Sequence, residues 1–236
     1  MKVRLWLNLG WVGSLLLGVA AGQAAENVLT DAEKREGYRL LFNGVDLSGW
    51  HRTVEGYGGW KVVDGAICRA EGGAGMLYSN ERFRDFVLKI EYKLDKGTNS
   101  GVFLRVTDPN DPVQTGIEMQ VLDDAGSPPS RHCNGAIYDI AAPIKNVTRP
   151  TGEWNQAVIT CQGPLLTVQM NGEQILHIDL NRWTQAGRNP DGSPNKFRTA
   201  YREMVGPGFL GLQDHGGRVW YRNIKIKVLP PPKTGA

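Results

Sequence analysis

Three short stretches of this chain combine side chains that could do chemistry. The first is Glu118-Met119-Gln120. In an extended strand alternate residues face opposite ways, so Ile117, Met119 and Val121 share one face and Glu118 and Gln120 the other. The apolar trio belongs in a core. A carboxylate and an amide then stand side by side, a pair suited to gripping sugar hydroxyls, and the carboxylate can also accept a proton. A solvated outer face would show the same alternation. The second stretch runs from Asn99-Ser100-Gly101 to Phe103-Leu104-Arg105. Strand parity puts Phe103 and Arg105 on one face, where a guanidinium suits a carboxylate or an oxyanion. A structural ion pair, with Glu118 itself as a candidate partner, is the alternative. The third is Gln213-Asp214-His215-Gly216-Gly217. Histidine is the side chain most easily poised as a base near neutral pH. The two glycines let the backbone turn and approach a ligand closely. A purely structural histidine is equally compatible. His51, His132 and His177 carry weaker signals, and His177, alternating inside a hairpin strand, is expected to pack.

Other chemistries fit poorly. The chain has no G-x-S-x-G elbow, no H-E-x-x-H, no P-loop and no dinucleotide fingerprint, so no organic cofactor is expected. It has no C-x-x-C pair for a structural zinc site. Jelly-roll β-glucanases carry a catalytic E-x-D-x-x-E strand. Residues 118 to 123 read EMQVLD, with Gln120 at the middle acid and Asp123 at the last. Loss of the middle carboxylate argues against an ordinary two-carboxylate glycosidase.

The elements that must position these groups are strands. Phe86 to Leu94 alternates cleanly, with Phe86, Leu88, Ile90, Tyr92 and Leu94 on one parity and Lys89, Glu91 and Lys93 on the other. Further strands are expected over 66–69, 101–107, 116–122, 158–162, 165–170, 174–178, 208–213 and 218–229. Asn171-Gly172 is the strongest hairpin signal. One short helix is expected within 26–37, capped by Thr30 or Asp31. With 30 Gly and 13 Pro among 236 residues, the chain suits many turns between short elements. The pattern is that of an all-β sandwich or jelly roll of two antiparallel sheets. A mature chain of about 210 residues suits one such domain, burying roughly 70% of its unfolded surface. Residues 181–203, rich in Arg, Asn, Pro and Gly, interrupt the strands as a long surface loop. Pro230-Pro231-Pro232 cannot continue a sheet, so 230–236 is expected to be a disordered tail.

The N-terminus reads as a leader. Lys2 and Arg4 precede the apolar run Leu5 to Ala21, and small residues continue to Ala24-Ala25. That order is a secretory signal peptide over 1–24, leaving 25–236 as the mature domain, periplasmic or secreted and without a membrane segment. Removing Lys2 and Arg4 leaves 25 basic against 24 acidic residues. So neutral a chain lacks the basic excess of a nucleic-acid binder, and no nucleic-acid partner is expected. The pairing of Cys68, Cys133 and Cys161 and the oligomeric state are left open by the sequence.

Over residues 37–229 the chain resembles the 3-keto-disaccharide hydrolase domain family, once a domain of unknown function. The resemblance rests on LFNGVDLSGW (41–50), WKVVDG (60–65), FRDFVLKIEYKLDKGTNSGVFLR (83–105), GIEMQVLDD (116–124), GAIYDIAAP (135–143), GEWNQAVI (152–159) and GFLGLQDHGGRVWYRNIKI (208–226). The segment 181–203 departs from it and is placed to reshape the rim of a site. The resemblance implies a concanavalin-like jelly roll acting on small or oligomeric glycosides oxidised at C3 of the sugar. A ketone at C3 acidifies the hydrogen on C2, so a base can remove it, the C1 substituent can leave by elimination, and water can complete a hydrolysis. Such chemistry needs one base, an electrophile for the enolate oxygen and a sugar-gripping face. For that chemistry this sequence offers His215 or Glu118 as base and Arg105 or a bound divalent cation as electrophile. Glu118, Asp124 and His215 would hold that cation. Gln120, Asn99, Tyr138, Gln213 and Asp214 would orient hydroxyls. Trp50, Trp60 or Trp154 could stack on a sugar ring, or belong to the core. A non-catalytic carbohydrate-binding module and an adhesion domain are the rival readings.

Overall fold

The computed structural model describes residues 26–53, 59–70, 73 and 75–231. The expected leader and all but the first two residues of the expected tail lie outside the described residues. In chain order the elements are α1 (Asp31–Glu36), β1 (Arg39–Leu40), β2 (Trp50–Arg52), β3 (Trp60–Val63), β4 (Ala66–Arg69), β5 (Leu77–Phe83), β6 (Phe86–Leu94) and β7 (Asn99–Val106). Then come α2 (Pro112–Thr115), β8 (Ile117–Leu122), β9 (Asn155–Gln162), β10 (Leu165–Met170), β11 (Glu173–Asp179), β12 (Gly208–Leu212) and β13 (Val219–Val228). Single 3-10 turns at Leu180–Arg182 and Tyr201–Glu203 bracket the long loop. Among the described residues no helix is long and apolar enough to cross a membrane.

The strands form two antiparallel sheets. One runs β11-β10-β9-β6-β13-β4-β3, with β1 also on β13; the other runs β2-β5-β12-β7-β8. This is the expected jelly-roll sandwich. The main core lies between the sheets. From β6 it takes Phe86, Leu88, Ile90, Tyr92 and Leu94, the apolar parity of that strand, and from β7 and β8 it takes Val102, Leu104, Ile117, Met119 and Val121. Each such side chain contributes roughly 1.5–3 kcal/mol by leaving water. Thr30 caps α1 in a capping box with Glu33, whose carboxylate then accepts from Lys89 and Lys225. At Asn171-Gly172 both φ values are positive, 52° and 87°, as a type I′ hairpin turn requires.

Two departures from the sequence reading have local causes. β5 carries no alternation signal, because Asn80, Glu81 and Arg82 are consecutive exposed polar residues. His177 is exposed opposite Thr167 on the β10–β11 hairpin instead of packed. All three cysteines are buried free thiols, and burial pushes Cys161 up to about 12.

Arg105 is the larger correction. Strand parity would aim it with Phe103. The register instead slips by one residue between β7 and β12, where Phe103 pairs with Gly211 but Val106 with Phe209. Arg105 sits at that bulge in the left-handed region, φ 54°. The extra residue breaks the alternation there, so the guanidinium turns into the molecule at 2% exposure. It donates to the carbonyls of Arg84 (2.7 Å) and Gly163 (2.9 Å) and pairs with Asp85 (3.3 Å). Gly208 is required beside it: a Cβ there would stand 2.2 Å from the Arg105 carbonyl carbon.

Candidate active site

The outward face of β12, β7 and β8 carries a hollow of about 260 Å³. Its floor is built by strand pairing. Gly101 lies opposite Gln120 and Phe103 opposite Glu118, so the carboxylate and the amide of β8 stand against the residue of β7 that has no side chain. Gln213 extends the floor from the end of β12, its N–H donating to the Gly101 carbonyl at 3.0 Å. Asn99, Glu118, Gln120, Tyr138, Gln213 and His215, all singled out from the sequence, line this one hollow.

Glu118 is only 6% exposed. Gly101 is the reason it fits: a Cβ there would meet its Oε1 at 2.5 Å. Burial pushes the Glu118 carboxyl up to about 7, with the nearby Lys196 charge pulling the other way. A carboxylate with that affinity for protons is poised to take one near neutral pH. Beside it, the side-chain oxygens of Asn99, Gln120 and Gln213 are buried with no hydrogen-bond partner among the described residues. An acceptor buried without a donor costs roughly 1–3 kcal/mol. Three of them, from three neighbouring segments of the sheet, form an acceptor row that matches a molecule carrying several hydroxyl donors.

The rim comes from loops. His215 is exposed, just before the bend at 216–217. Tyr138 is half-buried, and its backbone N–H donates to the Glu118 carbonyl at 3.0 Å. Sequence reasoning missed two lining residues, Val113 in α2 and Lys196 in the long loop. Lys196 has no motif of its own; the signal is the loop 181–203, which interrupts the strands and so belongs at a rim. That loop is tied down by Asn189, whose amide donates to the carbonyl of Asp139 at 3.2 Å and accepts from the Trp183 indole at 2.9 Å. Arg131 also holds it through Asp191 and Ser193.

Three expectations are not met by the arrangement. Arg105, fixed at the bulge, does not line the hollow. Asp214 does not face it either: its carboxylate meets the Arg69 Nε at 2.6 Å, both side chains 7% exposed, while Arg69 also donates to the carbonyl of Gly216 at 2.7 Å. Asp214 therefore shapes the turn that presents His215. Asp124 is engaged in structure, accepting from the Asn134 N–H (3.0 Å), the Asn146 amide (3.2 Å) and the Thr148 hydroxyl (3.2 Å). The donor set Glu118, Asp124 and His215 is thus not brought together, and among the described residues no group of three or more His, Cys, Asp or Glu could hold a metal ion. Trp50 and Trp60 are core, and the Trp154 ring is covered by the Arg222 guanidinium at 3.9 Å.

A jelly roll with a buried carboxylate and an acceptor row in one hollow is a β-sandwich site suited to a carbohydrate, and the relatives of the chain make it a carbohydrate-active enzyme. The chain belongs to the 3-keto-alpha-glucoside-1,2-lyase-like domain family, whose model matches residues 37–227. It is 30% identical to a 3-keto-disaccharide hydrolase of Bacteroides thetaiotaomicron over 82% of this chain and 79% of that protein. Among solved structures it resembles two glycosyl hydrolase candidates from Parabacteroides distasonis. One is 31% identical with a TM-score of 0.73, covering 81% of this chain and 99% of the other. The second is 28% identical with a TM-score of 0.74, covering 87% and 100%. A Bacillus subtilis protein with a galectin-like fold shares the fold alone, at 13% identity and a TM-score of 0.50, covering 76% of this chain and 89% of that one.

Proposed function

We propose that the chain is an exported enzyme that cleaves glycosides oxidised to a ketone at C3. Glu118 takes the C2 proton, and the electrons of that C–H bond pass into an enolate on the C3 oxygen. When the ketone re-forms, the C1–O bond breaks and a C1=C2 double bond is left. The aglycone oxygen leaves with a proton, supplied by His215 from the rim. Addition of water across C1=C2 returns a 3-keto sugar and completes a net hydrolysis; without it the enzyme is a lyase. Asn99, Gln120 and Gln213 accept from the hydroxyls and fix the ring over the carboxylate.

One observation carries this reading. A single buried carboxylate, held near neutrality, stands beside three partnerless amide oxygens in one hollow. Glu118 is the only acidic side chain among the described residues that line it. Ordinary glycoside hydrolysis needs two carboxylates about 5–9.5 Å apart. Elimination next to a ketone needs one base, so it suits this site better. Membership of the family and the name of the Bacteroides relative support the same substrate class.

The test is to incubate the protein with a 3-keto-glucoside and with the unoxidised glucoside, each with chelator and with added divalent cations. Aglycone release from the keto sugar alone is expected. Release from neither, in every arm, with sugar binding retained, would make the domain a binding module and end the proposal.

A further inference from the structure

The enolate oxygen of this reaction needs a positive partner, and Arg105, one of the two expected from the sequence beside a divalent cation, is locked at its bulge. We infer that Lys196, from the long loop, is the catalytic cation: its ammonium binds the C3 oxygen of the keto sugar and stabilises the enolate. The inference rests on the proposed reaction.

Three features carry it. Among the described residues lining the hollow, Lys196 is the one lysine or arginine. Its backbone is held on both sides, the N–H donating to Asp139 Oδ2 at 2.8 Å and the carbonyl accepting from the Gln114 amide at 3.2 Å. Its ammonium lies 4.1 Å from the centre of the Tyr138 ring, which also lines the hollow. An aromatic face attracts an ammonium through its quadrupole without neutralising the charge, as a carboxylate would. The nearby carboxylate of Asp139 is instead engaged by the Lys196 N–H and by the His132 ring at 3.1 Å. The lysine is therefore positioned and still charged toward the reacting group. The field it exerts on Glu118 is consistent with action inside the hollow.

In the reaction Lys196 keeps its proton throughout. The C2–H electrons move onto the C3 oxygen as Glu118 gains the proton, and the ammonium donates a hydrogen bond to that oxygen until the ketone re-forms. Such a donor acts mainly on charge that develops in the transition state, so its loss falls on kcat.

The experiment compares wild type, Lys196→Met and Lys196→Arg by three measurements: aglycone release from a 3-keto-glucoside, exchange of the C2 hydrogen of a 3-keto sugar with D2O, and affinity for the unoxidised glucoside. Lys196 is exposed, so the variants should fold, and a melting curve checks that they do. For Lys196→Met we expect release and exchange to fall together by about 10²-fold, the scale of losing one oxyanion donor. Affinity for the unoxidised glucoside should be essentially unchanged, and Lys196→Arg should recover part of the rate. Retention of both rates by Lys196→Met would overturn the role of Lys196 while leaving the reaction standing. An equal loss of affinity for the unoxidised glucoside would also overturn it, reducing Lys196 to a rim contact. Absence of release and exchange in wild type would overturn the reaction, and this inference with it.

Discussion

Glu118→Gln should make the protein more stable and inactive, and the stability gain should depend on pH. In the native state the Glu118 carboxyl is moved from its ordinary value of 4.5 to about 7, with burial as the main cause. Between those values the folded state holds a proton that the unfolded chain has released, so stability falls as pH rises. The favourable contribution is fully present below pH 4.5 and is lost as pH climbs through about 7. The shift corresponds to roughly 3 kcal/mol at most. Glutamine has nearly the same shape and never ionises. The difference in unfolding free energy between Glu118→Gln and wild type should therefore grow by roughly 3 kcal/mol between about pH 4 and about pH 8. At about 2–4 °C per kcal/mol for a chain of this size, the variant's melting temperature should lead by several degrees on the alkaline side. Urea unfolding of both proteins across that range gives the curve directly. A difference that stays flat with pH would refute a buried, perturbed carboxyl at 118, and with it the argument that this residue is poised as a base.

The same geometry makes further outcomes measurable. Wild-type turnover should rise with pH through about 7, as Glu118 loses its proton, and the rise should be absent from whatever activity Glu118→Gln retains. Arg105→Met removes the buried ion pair with Asp85, which then keeps the Gly163 N–H at 2.6 Å, and should cost about 3–5 kcal/mol by chemical denaturation, while KM of the folded fraction is unchanged. Asp214→Asn breaks the buried pair with Arg69 and should lower the melting temperature. It should also reduce turnover, because the turn presenting His215 is then held less firmly. His215→Ala should leave the melting temperature within about a degree and reduce release of poor leaving groups more than good ones, since exposed positions rarely cost more than about 0.5 kcal/mol.

Much of this arrangement is written in local sequence. Strict alternation locates β6, and the same parity rule puts Glu118 and Gln120 together on the face away from the core. The rule fails at Arg105 because a bulge is a property of a strand pair: the extra residue is visible only when β7 is laid against β12. The reading of Asp214 fails because the buried Arg69 that claims its carboxylate is on β4, far earlier in the chain. Asp124 escapes local reasoning in a similar way, its three donors coming from the 134–148 segment that folds back over it. Lys196 is invisible as a site residue because a lysine in a polar loop has no periodicity. Only the docking of that loop on Asp139 and Gln114 gives it an address.

The bare backbone at residue 101 has an evolutionary corollary. One methyl group there would claim the volume of the reactive oxygen of Glu118 yet leave the neighbouring amides and the strand ladder in place. If the proposed reaction holds, alanine at that point would push the proposed base aside and leave the hydroxyl-accepting face, turning a catalyst toward a lectin by one codon change.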